Sequence, residues 1–575
     1  MMLWKNKNNH YLWMHTLCAL AVFFWACAAL AGEEPIGVVG FSQQEALMLG
    51  EKIYRKGILP SGEPVTAIVK GDIPVDGTMF SCESCHMRSG IGSFEGGVLT
   101  TATNGANLYK AQFNFRDLTP DEIRKLPRYM LSQYLAPPRR PPYTDESLAV
   151  SLRLGIDPTG RELHSVMPRY LLDDREMKIL VHYLKSLSAE LSPGVTDTTI
   201  RFATIITDDV SAEEVDAAMA PLEKYILGRK KREKSIETRA KNYGIFGMTM
   251  DLSYRRISLS RWELKGSPDT WRKQLEEHYR REPVFALLGG ITNGEWKPIH
   301  EFSEENRIPC IFPITDFPVI SKSDWYTLYF SKGYYQEGEA VARHLGMTIN
   351  LPHDKTVVQI YYNTREGRAF SSGFSETWQG LARQLPVNRI LQAGEKLPPD
   401  FLRGLADKKN PPVVLLWLGP EAFPALETIA ASANRPEMIY LSSSLLHENL
   451  EKLPEQSRGF TYITYPYALP RVKTLALNPS TAKGPQTTID RRIPAKRYST
   501  GVILTDALMM MGTDFYRDRF LEVIDMLQDK PQPYTDYERL SFGPGQRYAA
   551  KGCYIVQLTP GASPELVKKS EWVIH

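Results

Sequence analysis

The sequence predicts a multidomain protein, with an all-α first unit followed by a larger, two-lobed α/β unit. Within the first 190 residues, capped amphipathic helices flank a Cys-Glu-Ser-Cys-His motif at positions 82–86. From Ile200 onward, short apolar runs alternate with helical segments, which is typical of parallel sheets covered by helices. At about 150 residues per domain, a chain of 575 residues is also too long for one core.

The composition is that of an ordinary globular protein, with 43% hydrophobic and 23% charged residues. The formal net charge is +3, which is too small for a chain of 575 residues to indicate binding to nucleic acid or to a membrane surface. The sequence contains no Gly-x-Ser-x-Gly elbow, no His-Glu-x-x-His pair and no phosphate-binding loop. We therefore expect a carrier or binding protein rather than an enzyme.

Residues 1–31 have the pattern of an export signal. Lys5 and Lys7 precede an uninterrupted apolar run from Leu17 to Ala31, whose last three residues form a small-residue cleavage site. The mature chain is expected to begin near Gly32, outside the cytoplasm. Two alternatives stay open: an uncleaved segment that spans a bilayer of about 30 Å, and a lipid attached to Cys27.

Two helices of the first unit are predicted to cross closely. One begins with a capping box at Ser42 and Glu45, and the other begins at Asp173, with an apolar stripe along one face. Gly50 lies on the apolar side of the first helix, and a residue without a side chain lets another helix approach closely. Tyr183 of the last helix is expected to lie against it.

The motif at 82–86 predicts covalent attachment of one haem c. Two thiols one helical turn apart, Cys82 and Cys85, can each bond a haem vinyl group, while His86 offers an imidazole to the iron. A zinc site would need a second pair of cysteines, and the remaining cysteines are isolated in the sequence. Thiol redox chemistry at the two cysteines is the alternative interpretation of this motif. A disulfide between Cys310 and Cys553 is permitted in an exported protein but is not implied.

A second motif lies downstream: Gly155-x-Asp157-Pro158-x-Gly160-Arg161, followed by Met167-Pro168 and a capped helix. With the haem motif, residues 38–190 resemble the class I cytochromes c, in particular the cytochrome subunits of periplasmic dehydrogenases. The resemblance implies that Met167 is the sixth iron ligand. His164 is the rival ligand, and a second imidazole would lower the reduction potential. An insertion at about 88–147 departs from small members of the family.

Residues 200–575, after a linker at 191–199, carry the α/β pattern. Several apolar runs end in small or polar residues, where a ligand would sit at the carboxyl ends of parallel strands. The runs predicted as strands are 202–206, 243–248, 284–288, 309–314, 356–362, 413–418, 438–441 and 459–465. Because this region exceeds the size of one core, two lobes are expected.

Phe285 to Gly290, Ile308 to Pro313, and Tyr334-Tyr335-Gln336-Glu337-Gly338 resemble the type I periplasmic binding proteins of branched-chain amino acid transporters. The resemblance implies a ligand, such as an amino acid, held between the lobes. The corresponding loops offer Thr292 and Thr315 on the first lobe, and Tyr361 and Glu421 on the second.

Together these features predict a periplasmic monohaem electron carrier that is fused to a small-molecule-binding module. Its partner would be a periplasmic redox protein, such as a dehydrogenase, and contact with a membrane is expected only if the leading segment is not cleaved. The alternative is a solute-binding or sensing protein whose haem reports redox state. A haem peroxidase is a third hypothesis, but a six-coordinate iron leaves no position for peroxide.

Overall fold

The computed structural model divides the chain into two units, Met1–Glu190 and Leu191–His575, each described here by itself. Three predicted segments lie wholly or largely outside the described residues: the export signal, positions 244–248 of the strand predicted at 243–248, and much of the insertion. The structure describes residues 37–70, 72–95, 98–110, 140–243, 255–321, 323–392, 394–405, 410–469, 492–526, 537–541, 543 and 545–574.

The first unit contains five helices among its described residues. Both predicted capping boxes are present: Ser42 caps α1 with Glu45, and Asp173 caps α5 with Glu176. The glycine that follows α1, Gly57, has a φ of 62°, the left-handed conformation in which many helices end. The helices are α1 (Gln43–Lys56), α2 (Cys82–His86), α3 (Gly105–Leu108), α4 (Asp145–Leu154) and α5 (Asp174–Ser186).

The predicted crossing of α1 and α5 is confirmed. A Cβ atom built on Gly50 would lie 2.4 Å from Cβ of Tyr183 and 2.7 Å from the carbonyl oxygen of Ile179. The rings of Tyr54 and Tyr183 meet at the same crossing, with centroids 5.5 Å apart. Around them lies one apolar core that includes residues of α1, α4 and α5.

The expectation of an all-α first unit is wrong, because the unit also contains antiparallel strands. β1 (Thr66–Val69) pairs on one side with β2 (Ile73–Asp76) and on the other with β5 (Arg169–Leu171). A short hairpin, β3 (Phe94–Glu95) with β4 (Val98–Leu99), stands apart. In the larger sheet Ala67, Val75 and Tyr170 stand side by side and pack against the core. Strands this short give too little alternation to be read from the sequence.

The second unit begins with a five-stranded parallel sheet, here called lobe 1, in the order β10-β9-β8-β6-β7. Its strands are β6 (Thr199–Thr207), β7 (Arg256–Leu264), β8 (Ala286–Leu288), β9 (Cys310–Ile311) and β10 (Thr327–Leu328). Helices cover both faces: α6 (Ala212–Tyr243), α7 (Pro268–Arg281), α8 (Lys297–Glu305), α13 (Arg492–Met511) and α14 (Arg517–Asp525). The strand expected to begin at Tyr243 does not, since that residue ends α6, and the unpredicted β7 pairs with β6 instead.

The second sheet, lobe 2, runs in the order β12-β11-β13-β14-β15-β16-β17, and β18 pairs with β16. The first five strands are parallel, and β16 joins them antiparallel. The strands are β11 (Val357–Tyr362), β12 (Val387–Leu391), β13 (Val413–Trp417), β14 (Met438–Ser442), β15 (Thr461–Tyr465), β16 (Gly552–Leu558), β17 (Leu566–Lys568) and β18 (Val573–Ile574). The α-helices of lobe 2 are α9 (Tyr334–Arg343), α10 (Arg365–Gly380), α11 (Phe423–Ala430) and α12 (Ser443–Leu446).

The chain passes between the two lobes near Gly333, after β15, and just before β16. Gly333 has a φ of 58°, and a Cβ atom there would lie 2.1 Å from the carbonyl oxygen of Asp316, so only glycine fits this crossing. In the described part of the whole chain, the structure contains no helix with the length and hydropathy of a membrane span.

Candidate functional site

The Cys-x-x-Cys-His motif forms the short helix α2. Cys82 and Cys85 are both half-buried free thiols, and one turn of helix separates them. Burial raises the pKa of the Cys82 thiol to about 12. That thiol has the Tyr170 hydroxyl as a hydrogen-bond partner, and the same hydroxyl donates to the carbonyl oxygen of Phe80 at 2.7 Å. Cys82 is therefore a poor thiolate nucleophile, which disfavours a redox-active dithiol.

His86 ends this helix with its side chain buried. Its Nδ1 atom lies 2.8 Å from the carbonyl oxygen of Thr101, so Nδ1 carries the proton and Nε2 holds a lone pair. Burial also lowers the pKa of the imidazole, which favours the neutral form. A second hydrogen bond to this ring is not made by the described residues. An imidazole fixed through Nδ1 is the arrangement found in metal-binding histidines.

The backbone after His86 wraps tightly around α2. The amide of Gly92 donates to the carbonyl oxygen of His86 at 3.0 Å, and the Thr100 hydroxyl donates to that of Cys85 at 2.8 Å. The hydroxyl of Tyr54 in α1 donates to the carbonyl oxygen of Met87, which has a φ of 66°. These bonds hold α2 between the helical core and the loop that follows it.

Met167 and His164 lie on one turn but differ in burial. Met167 is half-buried and packs against the apolar core of the first unit, together with Cys82. His164 is exposed, and its Nδ1 atom accepts a hydrogen bond from the amide of Val166 at 3.3 Å. The loop before them is fixed by Asp157, which accepts hydrogen bonds from Thr159 and Arg161.

The residues at α2 fit a covalently held haem. The two half-buried thiols stand beside an imidazole whose Nε2 atom is free to ligate, and a methionine packs into the same core. Cys310 and Cys553 are separate, fully buried thiols on β9 and β16, so the structure contains no disulfide between them. Groups of three or more His, Cys, Asp or Glu that could hold a bare metal ion do not occur among the described residues.

Thr292 and Thr315 lie together at the carboxyl edge of the lobe 1 sheet, because the strands before them are neighbours. The amide of Thr292 donates to the carbonyl oxygen of Ile314 at 3.4 Å. The Thr292 hydroxyl accepts from the amide of Gly294 at 3.0 Å, and the Thr315 hydroxyl accepts from that of Phe317 at 3.0 Å. Both hydroxyls thus close their own turns, and the Thr292 hydroxyl also donates to the carboxylate of Asp209 at 3.5 Å.

The two residues predicted on lobe 2, Tyr361 and Glu421, do not form one site with Thr292 and Thr315. Tyr361 is buried in the core beneath α10. Glu421 is exposed, and its carboxylate accepts a hydrogen bond from the amide of Gly419 at 2.8 Å, within its own turn. A different pair joins the lobes: the guanidinium of Arg365, the first residue of α10, lies 4.9 Å from the ring centroid of Phe317 on lobe 1.

A cavity lies where the lobes meet, with polar groups from both sides. Its free volume is about 20 Å³, enough for one water molecule. The described residues that line it include Asp316, Ser331, Tyr334, Gln336, Glu337, Ser444, Tyr467 and Tyr537.

Glu337 lines this cavity but was not predicted from the sequence as a site residue. It is 1% exposed, and its Oε2 atom accepts hydrogen bonds from the hydroxyls of Ser442, at 2.8 Å, and Thr464. A signal was present in the sequence: Glu337 stands four residues before Val341, on the side of α9 that faces the sheet. A carboxylate on the buried face of a helix indicates a role beyond solubility.

Comparisons with known proteins find solved structures that are similar to about two thirds of this chain at low sequence identity. A branched-chain amino acid transporter protein from Rhodospirillum rubrum is 13% identical, covers 64% of this chain and 100% of its own, and has a TM-score of 0.45. One from Thermus thermophilus with bound valine is 10% identical, with coverages of 66% and 97% and a TM-score of 0.44. A solute-binding protein from Rhodopseudomonas palustris in complex with benzoate is 12% identical, with coverages of 66% and 98% and a TM-score of 0.39. No family model and no curated protein matches the chain.

Proposed function

We propose that the second unit is a solute-binding module whose two lobes close over a small molecule. The observation that supports this proposal is the cavity at the junction of the lobes, to which both lobes contribute polar side chains. A ligand there would contact both lobes at once, so its binding would favour the closed arrangement. Sites between two lobes that are joined by narrow crossings are a common place for small ligands.

The chemistry of the cavity favours a ligand that carries an ammonium group, such as an amino acid. Asp316 on lobe 1 and Glu337 on lobe 2 supply carboxyl groups, and Tyr334, Tyr467 and Tyr537 supply aromatic rings. Carboxylates pair with ammonium groups, and aromatic faces attract cations. Because the cavity has room for only about one water molecule, the lobes must separate at the crossings before a ligand can enter.

The test is thermal unfolding of the full chain with a panel that includes valine, leucine, putrescine and benzoate. A ligand at 100 times its Kd should stabilise the protein by about 2.7 kcal/mol. Glu337→Gln should remove the shift that an ammonium ligand causes, whereas Glu421→Gln, in an exposed turn, should retain it. Absence of a shift with every ammonium compound would refute this ligand class, and a shift with benzoate alone would point to an anion site.

We further propose that the first unit carries one covalent haem c and transfers electrons. The observation that favours this second function is the buried His86, which is held through Nδ1 with Nε2 left free to ligate. A haem bound there would supply a one-electron couple. Cys82 and Cys85 would hold it through thioethers, and His86 and Met167 would ligate its iron.

Mass spectrometry of the native protein expressed with its first 31 residues tests this second proposal. We expect the mass of one haem on the chain and an N-terminus near Gly32, which would agree with a location outside the cytoplasm. The double variant Cys82→Ala, Cys85→Ala should lose the haem, whereas the matched double variant Cys310→Ala, Cys553→Ala should keep it. A native chain that carries no haem when it is made with an intact haem-attachment system would overturn the proposal.

The two units together would give either a periplasmic electron carrier with a bound solute or a solute sensor with a redox readout. The partner of the first is a redox protein, for example a dehydrogenase. Reduction by such an enzyme at a rate unaffected by the solute favours the carrier. A reduction potential that shifts when the solute binds favours the sensor, because the shift measures the coupling energy between the two sites.

A further inference from the structure

A second cavity lies inside lobe 1, on the sheet face covered by α6 and α13. It is separate from the cavity between the lobes and shares none of its described lining residues. Its free volume is about 30 Å³, enough for about two or three water-sized spheres. The described residues that line it are Thr204, Ala218, Met219, Leu222, Gly289, Gly290, Ile291, Phe312, Ile314 and Thr500.

The lining is apolar apart from threonine hydroxyls and backbone groups. Met219 and Leu222 of α6 face the sheet, and Phe312 and Ile314 approach from the strand edge. Among the described lining residues, none carries a charge. A Cβ atom built on Gly289 would meet no atom within 4 Å, which agrees with open space beside this residue. Such a cavity excludes ions and favours a small neutral molecule.

One polar side chain of the cavity, Thr204, indicates that a bound molecule would carry a hydrogen-bonding group. Thr204 is 1% exposed, and its hydroxyl has no hydrogen-bond partner within the described structure. It occupies a core position of β6, on the same face as Ile200 and Phe202, where valine would have the same shape. An unpaired buried hydroxyl destabilises the folded chain. A ligand that pairs with this hydroxyl would recover part of the lost stability.

We propose that this cavity binds a short-chain primary alcohol, such as ethanol or 1-propanol. The alcohol hydroxyl would pair with Thr204, and the alkyl chain would contact Met219, Leu222 and Phe312. The volume limits the chain to a few carbons, and the apolar lining excludes the corresponding carboxylate and ammonium compounds. This site is independent of the ligand between the lobes, and its failure would leave that proposal unchanged.

The methyl resonance of Met219 reports on the cavity directly. The full chain, labelled at methionine methyl groups, is titrated with ethanol, 1-propanol, propionate and propylammonium, and Met219→Leu assigns the signal. We expect a saturable shift of Met219 with the two alcohols only. Met511, buried in the same core but not lining the cavity, and Met509, 68% exposed on α13, should not shift saturably.

Two variants separate binding from general solvent effects. Thr204→Val keeps the shape of the site and should weaken alcohol binding about fivefold, the value of one hydrogen bond. Ala218→Leu fills the cavity and should abolish the Met219 shift. If Ala218→Leu does not fold, the affinity of Thr204→Val for the alcohols is the deciding measurement. A linear Met219 shift, equal shifts at Met509 and Met511, no shift at all, or unchanged affinity in Thr204→Val would overturn the proposal and leave a water-filled cavity.

Discussion

Gly50 of α1 faces Tyr183 of α5 so closely that a Cβ atom on Gly50 would lie 2.4 Å from the Tyr183 Cβ. The same Cβ atom would lie 2.7 Å from the carbonyl oxygen of Ile179, so a side-chain rotation alone cannot relieve the clash. We expect Gly50→Ala to separate the helices and to destabilise the first unit by about 1–3 kcal/mol, the usual cost of overpacking. Urea unfolding followed by circular dichroism measures it.

Gly228 provides the control for this substitution. It also lies in a helix, but a Cβ atom there meets nothing within 4 Å. Gly228→Ala should leave stability unchanged or raise it by up to about 1 kcal/mol, since alanine is the better helix former. If Gly50→Ala unfolded at the same urea concentration as the native chain, the close crossing would be refuted.

This crossing was predictable from the sequence because it depends on local signals. Two capping boxes, an apolar stripe and one glycine identify both helices and their contact. The sheet of β1, β2 and β5 depends instead on pairing between segments about 100 residues apart, which periodicity does not reveal. Thr292 and Thr315 follow runs that were recognised as strands. Glu337 was not predicted as a site residue, because the hydroxyls that hydrogen-bond to it belong to Ser442 and Thr464, far along the chain.

Arg517 joins α14 to lobe 1 through backbone carbonyls. It is buried, and it donates to the carbonyl oxygens of Val284 at 2.6 Å and Phe285 at 3.0 Å, and to those of two residues after α8. Arg517→Met should destabilise the second unit by about 3 kcal/mol or more, because each buried acceptor left unpaired costs about 1–3 kcal/mol. Arg272→Met is the control: its ion pairs with Glu276 and Glu305 are exposed, and such pairs are worth at most about 1 kcal/mol. Equal losses in the two variants would contradict the assignment.

His344 should make the second unit sensitive to acid. Burial lowers its pKa from 6.5 to about 4, and its Nδ1 atom lies 3.1 Å from the Tyr440 hydroxyl. Above pH 6.5 the ring is neutral in both folded and unfolded chains, so stability is unaffected. Between pH 6.5 and 4 only the unfolded chain takes up the proton. Stability therefore decreases as the pH is lowered from 6.5 to 4, by at most about 1.4 kcal/mol per pH unit from this group.

His344→Gln should flatten the pH dependence in this window. The glutamine amide keeps a partner for Tyr440 but does not titrate. His353→Gln, at an exposed position, should preserve the native slope. Urea midpoints measured from pH 7 to pH 4 distinguish these outcomes, and a slope in His344→Gln as steep as that of the native chain would show that other groups are responsible.

Met167 should set the potential of the proposed haem. It is half-buried against the same apolar core as Cys82, whereas His164 is exposed. A thioether ligand favours the reduced iron, so Met167→Ala should lower the reduction potential and remove the optical band of thioether ligation. His164→Ala should change neither. A normal spectrum in Met167→Ala together with a changed one in His164→Ala would make the imidazole the ligand.

Arg365 should hold the lobes of the second unit together. Its guanidinium lies 4.9 Å from the ring centroid of Phe317, which belongs to the other lobe, and such contacts are worth about 0.5–2 kcal/mol. Losing this contact in Arg365→Ala should shift the equilibrium between closed and separated lobes toward the separated form by a factor of about 2 to 30. Small-angle scattering should then give a larger radius of gyration without added solute. Arg368 stands one turn further along α10 and bonds to Asn363 of its own lobe, so Arg368→Ala should scatter like the native chain. Identical curves for all three proteins would mean that other contacts hold the lobes closed.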